Sequence, residues 1–260
     1  MTIAILGVGA IATFVRGHLG AEVATILTRP ARQAEVQAQT GLPCVSSVQE
    51  LPESTTLLID CAGHTGLAEH GPRALARGID VLTVSIGALA DEKLAQELNI
   101  AATAGGSSLH LASGAIGALD TLRAARAGAL HSVTYTGRKV PAGWLGSPAE
   151  DVVDMSKPLG SAVTHFEGTA REAALRYPKN ANVAAAVALA GLGFDATKVT
   201  LIADPDATGN THEIAAHGDF GEMLFTITGN SLPGNPRSSA LAAMSVIAAL
   251  RERAANIRFA

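Results

Sequence analysis

The residues with the clearest potential for chemistry fall into two groups, one near the start of the chain and one in its second half. The first is Gly7-Val8-Gly9-Ala10-Ile11-Ala12, which follows the apolar run Ile3-Ala4-Ile5-Leu6 and leads into helix-forming residues. Gly-x-Gly-x-x-Ala in that setting is what a dinucleotide-binding βαβ unit needs. Gly7 turns the chain sharply out of a strand, Gly9 lets the backbone approach a pyrophosphate, and Ala12 lets the helix pack closely on the strand. The helix N-terminus offers unpaired N–H groups to the phosphates. Gly7, Gly9, Ala10 and Ile11 are therefore candidate cofactor contacts. About twenty residues further on, an NAD-selective site usually carries Asp or Glu for the ribose 2′-hydroxyl. This chain has Thr28-Arg29-Pro30 instead. No carboxylate there repels a 2′-phosphate and Arg29 can pair with one, so NADP is expected as well as NAD; the alternative is a solvated loop arginine.

The second group centres on His212. It follows Asp204-Pro205-Asp206-Ala207-Thr208-Gly209-Asn210, a turn-rich stretch, and opens a strand pattern. That places an imidazole at a strand mouth, with a pKa suited to proton transfer near neutrality. Spacing alone leaves a structural histidine open. His217, five residues on, would face the other side of the same strand. Pro178-Lys179-Asn180-Ala181-Asn182-Val183 is a polar cluster before an apolar helix, and Asn180 or Asn182 reads equally as helix cap or cofactor contact. Arg138 and Lys139 end a strand pattern and could bind carboxylates, or form a solvated strand end. His64 and His70 should lie on the nucleotide side and read as exposed loop or helix histidines. The wide spacing of His and Asp positions gives no zinc-ligand pattern, so no metal is expected.

These residues need a scaffold, and the chain supplies one by alternation. Strand patterns at 3–6, 22–27, 57–62, 79–85 and 109–112 alternate with helical stretches at 11–19, 30–40, 66–77 and 91–104. Such a rhythm argues a doubly wound parallel sheet. Residues 57–62 are continuously apolar apart from Asp60, as in a strand buried on both faces. Ser85-Ile86-Gly87-Ala88-Leu89 reads as a small-residue strand end suited to close approach of a ligand, with Asp91 as the cap of the next helix. The rhythm then changes. Strands are expected at 132–137, 199–203, 211–217 and 223–228, helices at 169–177, 182–190 and 238–255, and a long loop at 141–160. The fold class is thus α/β: an N-terminal Rossmann doubly wound parallel sheet over 1–112 and a second α+β substrate domain over 113–236. A C-terminal helix in 237–260 is expected to pack back on the nucleotide domain.

Composition narrows the functional classes. The 260 residues carry a formal charge of −4 with no basic block, which disfavours nucleic acid. Two cysteines, Cys44 and Cys61, show no CxxC spacing, which fits a reducing cytoplasm. No basic n-region precedes the first strand pattern, and no apolar run reaches membrane-spanning length, so neither export nor a membrane is expected.

Taken in order, six segments resemble the L-aspartate dehydrogenases, whose fold is like that of dihydrodipicolinate reductase and homoserine dehydrogenase. They are the glycine turn at Gly7, Ser85-Ile86-Gly87-Ala88-Leu89, Ser113-Gly114-Ala115-Ile116-Gly117, Phe166-Glu167-Gly168-Thr169-Ala170-Arg171-Glu172-Ala173, Pro178-Lys179-Asn180-Ala181-Asn182-Val183 and Asn210-Thr211-His212-Glu213-Ile214. The resemblance covers nearly the whole chain. It implies NAD(P)-dependent oxidative deamination of L-aspartate to iminoaspartate, which water converts to oxaloacetate and ammonia, and which can feed NAD synthesis. The family's active-site histidine falls on His212, and its cofactor-contacting Ala and Asn fall on Ala115 and Asn182. For that reaction His212 is the expected base, for the amine proton or for the water. Ser113, the backbone at Gly114, Arg138 and Lys139 are candidates to hold the two carboxylates. A homodimer through the second-domain sheet is expected. A reductase of a cyclic imine or aldehyde on the same architecture, and an NADP sensor without turnover, are the alternatives. Thr28-Arg29 departs from an acidic ribose binder and puts strict NAD specificity in question.

Overall fold

Ile3, Ala4, Ile5 and Leu6 are apolar on both sides of one strand, and a strand of that kind needs cover on both faces. The computed structural model, which describes residues 2–178, 181–233 and 235–258, provides it. The chain divides into two compact units, Met1–Ala112 with Ala242–Ala260, and Ser113–Leu241.

In the first unit, β1 (Thr2–Leu6), α1 (Ala10–Leu19), β2 (Val23–Leu27), α2 (Gln33–Thr40), β3 (Cys44–Val45), β4 (Thr55–Asp60), α3 (His64–Ala76), β5 (Asp80–Thr83), α4 (Glu92–Gly105) and β6 (Leu109–Leu111) follow one another. The six strands form one parallel sheet in the order β3-β2-β1-β4-β5-β6. The order of strand addition reverses between β1 and β4, which makes the point between them the topological switch. Alternate residues feed two cores. Ile3, Ile5, Leu57 and Ile59 pack with Ala12 and Val15 of α1 and with Val246, Ile247 and Leu250 near the C-terminus. Ala4, Leu6 and Leu58 pack with Leu67, Leu75, Leu94 and Leu98 of α3 and α4. Asp91 caps α4, its carboxylate accepting from the backbone N–H groups of Lys93 and Leu94.

Two expectations are corrected here. Residues 86–90 form a buried 3-10 turn rather than the end of a strand, because β5 closes at Thr83. His70 is buried, not exposed. Helix α3 starts at His64, so His70 falls in phase with Leu67 and Ala74, one turn away on either side, and faces the sheet.

The second unit contains α5 (Leu119–Ala125), β7 (Leu130–Lys139), β8 (Val163–Thr169), α6 (Ala170–Arg176), α7 (Asn182–Ala190), β9 (Lys198–Ala203), β10 (Asn210–Gly218), β11 (Gly221–Gly229), β12 (Ser231–Leu232) and β13 (Asn235–Ser239). Five strands form a mixed sheet in the order β11-β10-β7-β9-β8. Only β7 and β9 are parallel neighbours. One face of this sheet is buried, carrying Val133 and Tyr135 of β7, Val199 and Leu201 of β9, and His212 and Ile214 of β10. The apolar α7, with buried residues from Val183 to Ala190, packs with α5, α6 and β7. A capping box between Thr169 and Glu172 starts α6 where the sequence places it. The last helix, α8 (Ala240–Ala254), leaves this unit and supplies Val246, Ile247 and Leu250 to the first core. Arg253 at its end donates to Asp80 at 2.7 Å and meets His110.

Candidate active site

In the first unit the site is built on the turn between β1 and α1. Gly7 has φ +99, and a Cβ there would lie 3.1 Å from the carbonyl carbon and oxygen of Cys61, so only glycine fits. A Cβ on Gly9 would meet nothing within 4 Å. Open space thus lies over that stretch of backbone, where a pyrophosphate would approach. Gly9 occupies the N-cap of α1 without a side-chain cap, and no acidic residue stands in the first turn with Ala10 and Ile11. An uncapped, uncrowded helix start of this kind fits a dinucleotide phosphate. Arg29 is exposed just beyond β2. Thr28 beside it is buried, and its N–H donates to Val45.

At the end of β4 lies Asp60, fully buried. It accepts hydrogen bonds from Thr83 Oγ1 and Ser85 Oγ, both 2.6 Å, and from the Ala62 N–H at 2.9 Å. Burial raises its proton affinity and the three donors oppose that rise.

In the second unit the decisive feature is the mouth of β10. His212 is 4 % exposed and lies opposite Gly137 of β7 and Ile227 of β11. Its Nδ1 is 2.7 Å from Tyr135 Oη. Gly137 makes that contact possible, since a Cβ there would sit 2.8 Å from the same hydroxyl. Lys139 lies two residues beyond Gly137 and shares the face of His212. Its Nζ stands 4.8 Å from the centre of the Trp144 ring. Burial lowers the pKa of Lys139 to about 8. Burial and then the Lys139 charge lower that of His212 to about 4. The imidazole is therefore uncharged at neutral pH. Arg138 points to the other face of the sheet and pairs with Asp204 at 2.8 Å. Glu213 also leaves the His212 face, by strand alternation. Where β10 begins, a recess of about 270 Å³ opens between Val140, Gly143, Thr208, Asn210, Gly229 and Ser231.

The remaining sequence candidates of this unit lie in its loops and helix ends. Ser113 is exposed, Gly114 has φ +72, and Ala115 is buried in the segment before α5. Asn182 is the first residue of α7. The cap position belongs to Ala181, which makes no side-chain cap bond, so Asn182 is not the helix cap. Asn180 lies outside the described residues. The structure thus brings His212 and Lys139 to one face and gathers Gly7, Gly9, Ala10 and Ile11 at one turn. Sequence reasoning missed Tyr135, Trp144, His165 and Tyr177. His165 Nδ1 is 3.2 Å from Tyr177 Oη, and its ring stands edge-on to Trp144 with centroids 4.4 Å apart. No local pattern announces these contacts, because they depend on strand register and on a bulge in β8 at His165.

With this geometry in place, the chain compares closely with known proteins. The family described as "Aspartate dehydrogenase, C-terminal" matches residues 120–253. An L-aspartate dehydrogenase of Ruegeria pomeroyi is 58 % identical over 258 residues, covering 98 % of this chain and 94 % of that one. The chain belongs to the L-aspartate dehydrogenase family. A second member, from Pseudomonas aeruginosa, is 50 % identical over 212 residues, covering 82 % of this chain and 79 % of that one. Residues 7–112 match the family described as "Homoserine dehydrogenase, NAD binding domain". The crystal structure of an aspartate dehydrogenase from Thermotoga maritima superposes with a TM-score of 0.79 at 24 % identity, covering 100 % of this chain and 99 % of that one. A hyperthermophilic archaeal homoserine dehydrogenase in complex with NADPH gives 0.59 at 14 % identity, with 96 % of each chain covered. Both likenesses speak for the α/β fold. Among the described residues, no helix is long and apolar enough to cross a membrane.

Proposed function

We propose that the chain catalyses the NAD(P)-dependent oxidative deamination of L-aspartate to iminoaspartate, which water takes on to oxaloacetate and ammonia. The observation that carries this reading is the 58 % identity with an L-aspartate dehydrogenase over nearly all of both chains. When bound, the nicotinamide supplies the acceptor for the hydride that leaves Cα of the substrate. Gly7, Gly9, Ala10 and Ile11 would hold the pyrophosphate from backbone N–H groups, Arg29 would pair with a 2′-phosphate, and Ala115 and Asn182 are the further cofactor contacts that the family resemblance implies. His212 is the catalytic residue. Lys139, a cation on the same face, holds a substrate carboxylate, with Ser113 and the Gly114 backbone as further donors. Arg138 is the weaker carboxylate binder of the two basic neighbours, because Asp204 already engages it from the opposite face.

Reduction of NADP and NAD followed at the nicotinamide absorbance tests this reading. L-Aspartate is the substrate, with L-glutamate, L-homoserine and D-aspartate as controls. Turnover with L-aspartate alone is expected, and its absence would sink the assignment. In the same assay Arg29→Asp raises the KM for NADP about tenfold or more relative to that for NAD. One charge-assisted contact to a phosphate has a value of about 1.5–3 kcal/mol, and the new carboxylate adds repulsion. An unchanged cofactor ratio would remove Arg29 from the 2′-phosphate.

A cytoplasmic homodimer belongs to the same reading. Cys44 and Cys61 are both free thiols, as a reducing compartment favours. The face of the five-stranded sheet opposite His212 leaves Leu224 71 % exposed beside exposed Thr226 and Thr228. That face is the surface through which the dimer is proposed to form. Light scattering should give twice the chain mass, and a monomer at micromolar concentration would count against it.

A further inference from the structure

We propose that Tyr135 is a positioning residue that holds His212 as its Nε2–H tautomer, so that His212 meets the substrate as an uncharged hydrogen-bond donor and not as a base. The inference rests on the L-aspartate reading for its substrate, but its starting point is the buried pair itself. Tyr135 is 1 % exposed and His212 is 4 % exposed. A buried phenol must place its hydrogen on an acceptor. Among the described residues that acceptor is Nδ1 of His212, 2.7 Å away. Burial also pushes the Tyr135 pKa upward, so the hydroxyl keeps its hydrogen at any working pH.

The consequence follows from the bonding capacity of imidazole. A neutral ring has one N–H and one lone pair. With the Tyr135 hydroxyl donating into Nδ1, the ring proton lies on Nε2. A second proton on Nδ1 would face the phenol hydrogen and leave that hydrogen without its acceptor. The Lys139 cation on the same face opposes a charged ring as well. The other strand neighbours of His212, Gly137 and Ile227, bring no carboxylate. A histidine that serves as a base has the opposite support, an acceptor behind Nδ1 that keeps a proton there and frees the Nε2 lone pair. The arrangement is written into β7 by two residues. Tyr135 supplies the donor, and Gly137 leaves the space that lets the ring lie along the strand toward His212. Nε2–H and the Lys139 ammonium then form a donor and a cation on one face, a combination suited to the carboxylate oxygens of a dicarboxylic amino acid. Held there, the substrate presents its Cα in a fixed orientation, and the proton that its ammonium group gives up before the hydride leaves passes to solvent water.

Two measurements on the full chain test this. The first compares His212→Gln with His212→Ala in steady-state turnover of L-aspartate. A glutamine amide can donate from about the position of Nε2 but accepts no proton. Glutamine should stay within about tenfold of the wild-type kcat, whereas loss of the donor in His212→Ala costs about 10²–10³. Equal failure of the two variants, with NADP binding intact, overturns the proposal. The second is ¹⁵N NMR of protein labelled at histidine, with the His212 signals assigned by their loss in His212→Gln. A neutral Nε2–H pattern is expected at pH 7, and Tyr135→Phe should lose it to a mixture with the Nδ1–H form. A wild-type Nδ1–H or doubly protonated ring overturns the proposal. If the wild type does not turn over L-aspartate, the functional reading fails, and the NMR pattern still decides the tautomer.

Discussion

His212→Ala lowers kcat for L-aspartate oxidation by about 10²–10³ and leaves NADP binding within about twofold of the wild type. The size follows from the loss of a fixed, buried donor. The specificity follows from the organisation of the molecule. The glycine turn proposed to receive the pyrophosphate belongs to the first unit, and His212 sits on β10 of the second. The substitution has a second, separable effect. It removes the acceptor of the Tyr135 hydroxyl, and an orphaned buried hydroxyl costs about 1–3 kcal/mol. The double variant Tyr135→Phe/His212→Ala removes both partners and should regain part of that stability without regaining activity. Turnover, NADP titration and thermal unfolding of the three proteins check this together. Wild-type turnover in His212→Ala would take His212 out of the reaction. Recovered turnover in the double variant would show that the loss was one of stability.

The division between what the chain discloses and what it hides has a physical basis. Elements whose signal is local were legible. The glycine turn, the double-sided apolar strands β1 and β4, the Asp91 cap and the helix starting after Thr169 each depend on residues adjacent in sequence. The α/β class follows from their alternation. Strand β8 was hidden because His165 sits in a bulge, where Thr164 pairs with Ile202 and Phe166 with Leu201. A bulge breaks the period of two on which a strand is recognised. The two-residue β3 and the seven-residue α5 are too short to show a period.

The site divides in the same way. His212 could be singled out because a turn-rich loop precedes a strand, and the family resemblance strengthened it. Tyr135 could not, since only the register that sets His212 opposite Gly137 brings the two rings together across 77 positions. Arg138 and Lys139, adjacent and both basic, looked equivalent in sequence. Strand alternation separates them, sending one toward Asp204 and the other to the face of His212.

Asp60 shows how far a residue outside the reacting set can govern the cofactor site. Asp60→Ala should destabilise the first unit by about 3 kcal/mol, on the order of 1 kcal/mol for each of the buried donors it strands. Three donors lose their partner: the hydroxyls of Thr83 and Ser85 and the N–H of Ala62. Ala62 follows Cys61, whose carbonyl lies 3.1 Å from the place a Gly7 Cβ would take. The carboxylate therefore ties the ends of β4 and β5 to the floor of the glycine turn, and NADP affinity should fall with stability. Asp60→Asn should be much milder, because the amide oxygen can still accept from Ala62 and the two hydroxyls can rotate to meet its NH₂. The two variants also differ from the wild type in pH dependence. Burial raises the Asp60 pKa above the ordinary carboxylate value, so the folded state holds this proton more tightly than the unfolded state. Its contribution to stability is full below the unfolded pKa and is lost as pH rises through the folded one. The stability gap between wild type and Asp60→Asn should accordingly narrow in that direction. The single tryptophan, Trp144, lies in the other unit, so fluorescence would miss the event. Amide hydrogen exchange in β1 and β4, measured from about pH 5 to 8 with the intrinsic pH dependence of exchange divided out, reads it directly. Unchanged protection and unchanged NADP affinity in Asp60→Ala would show that the buried carboxylate does not hold the turn.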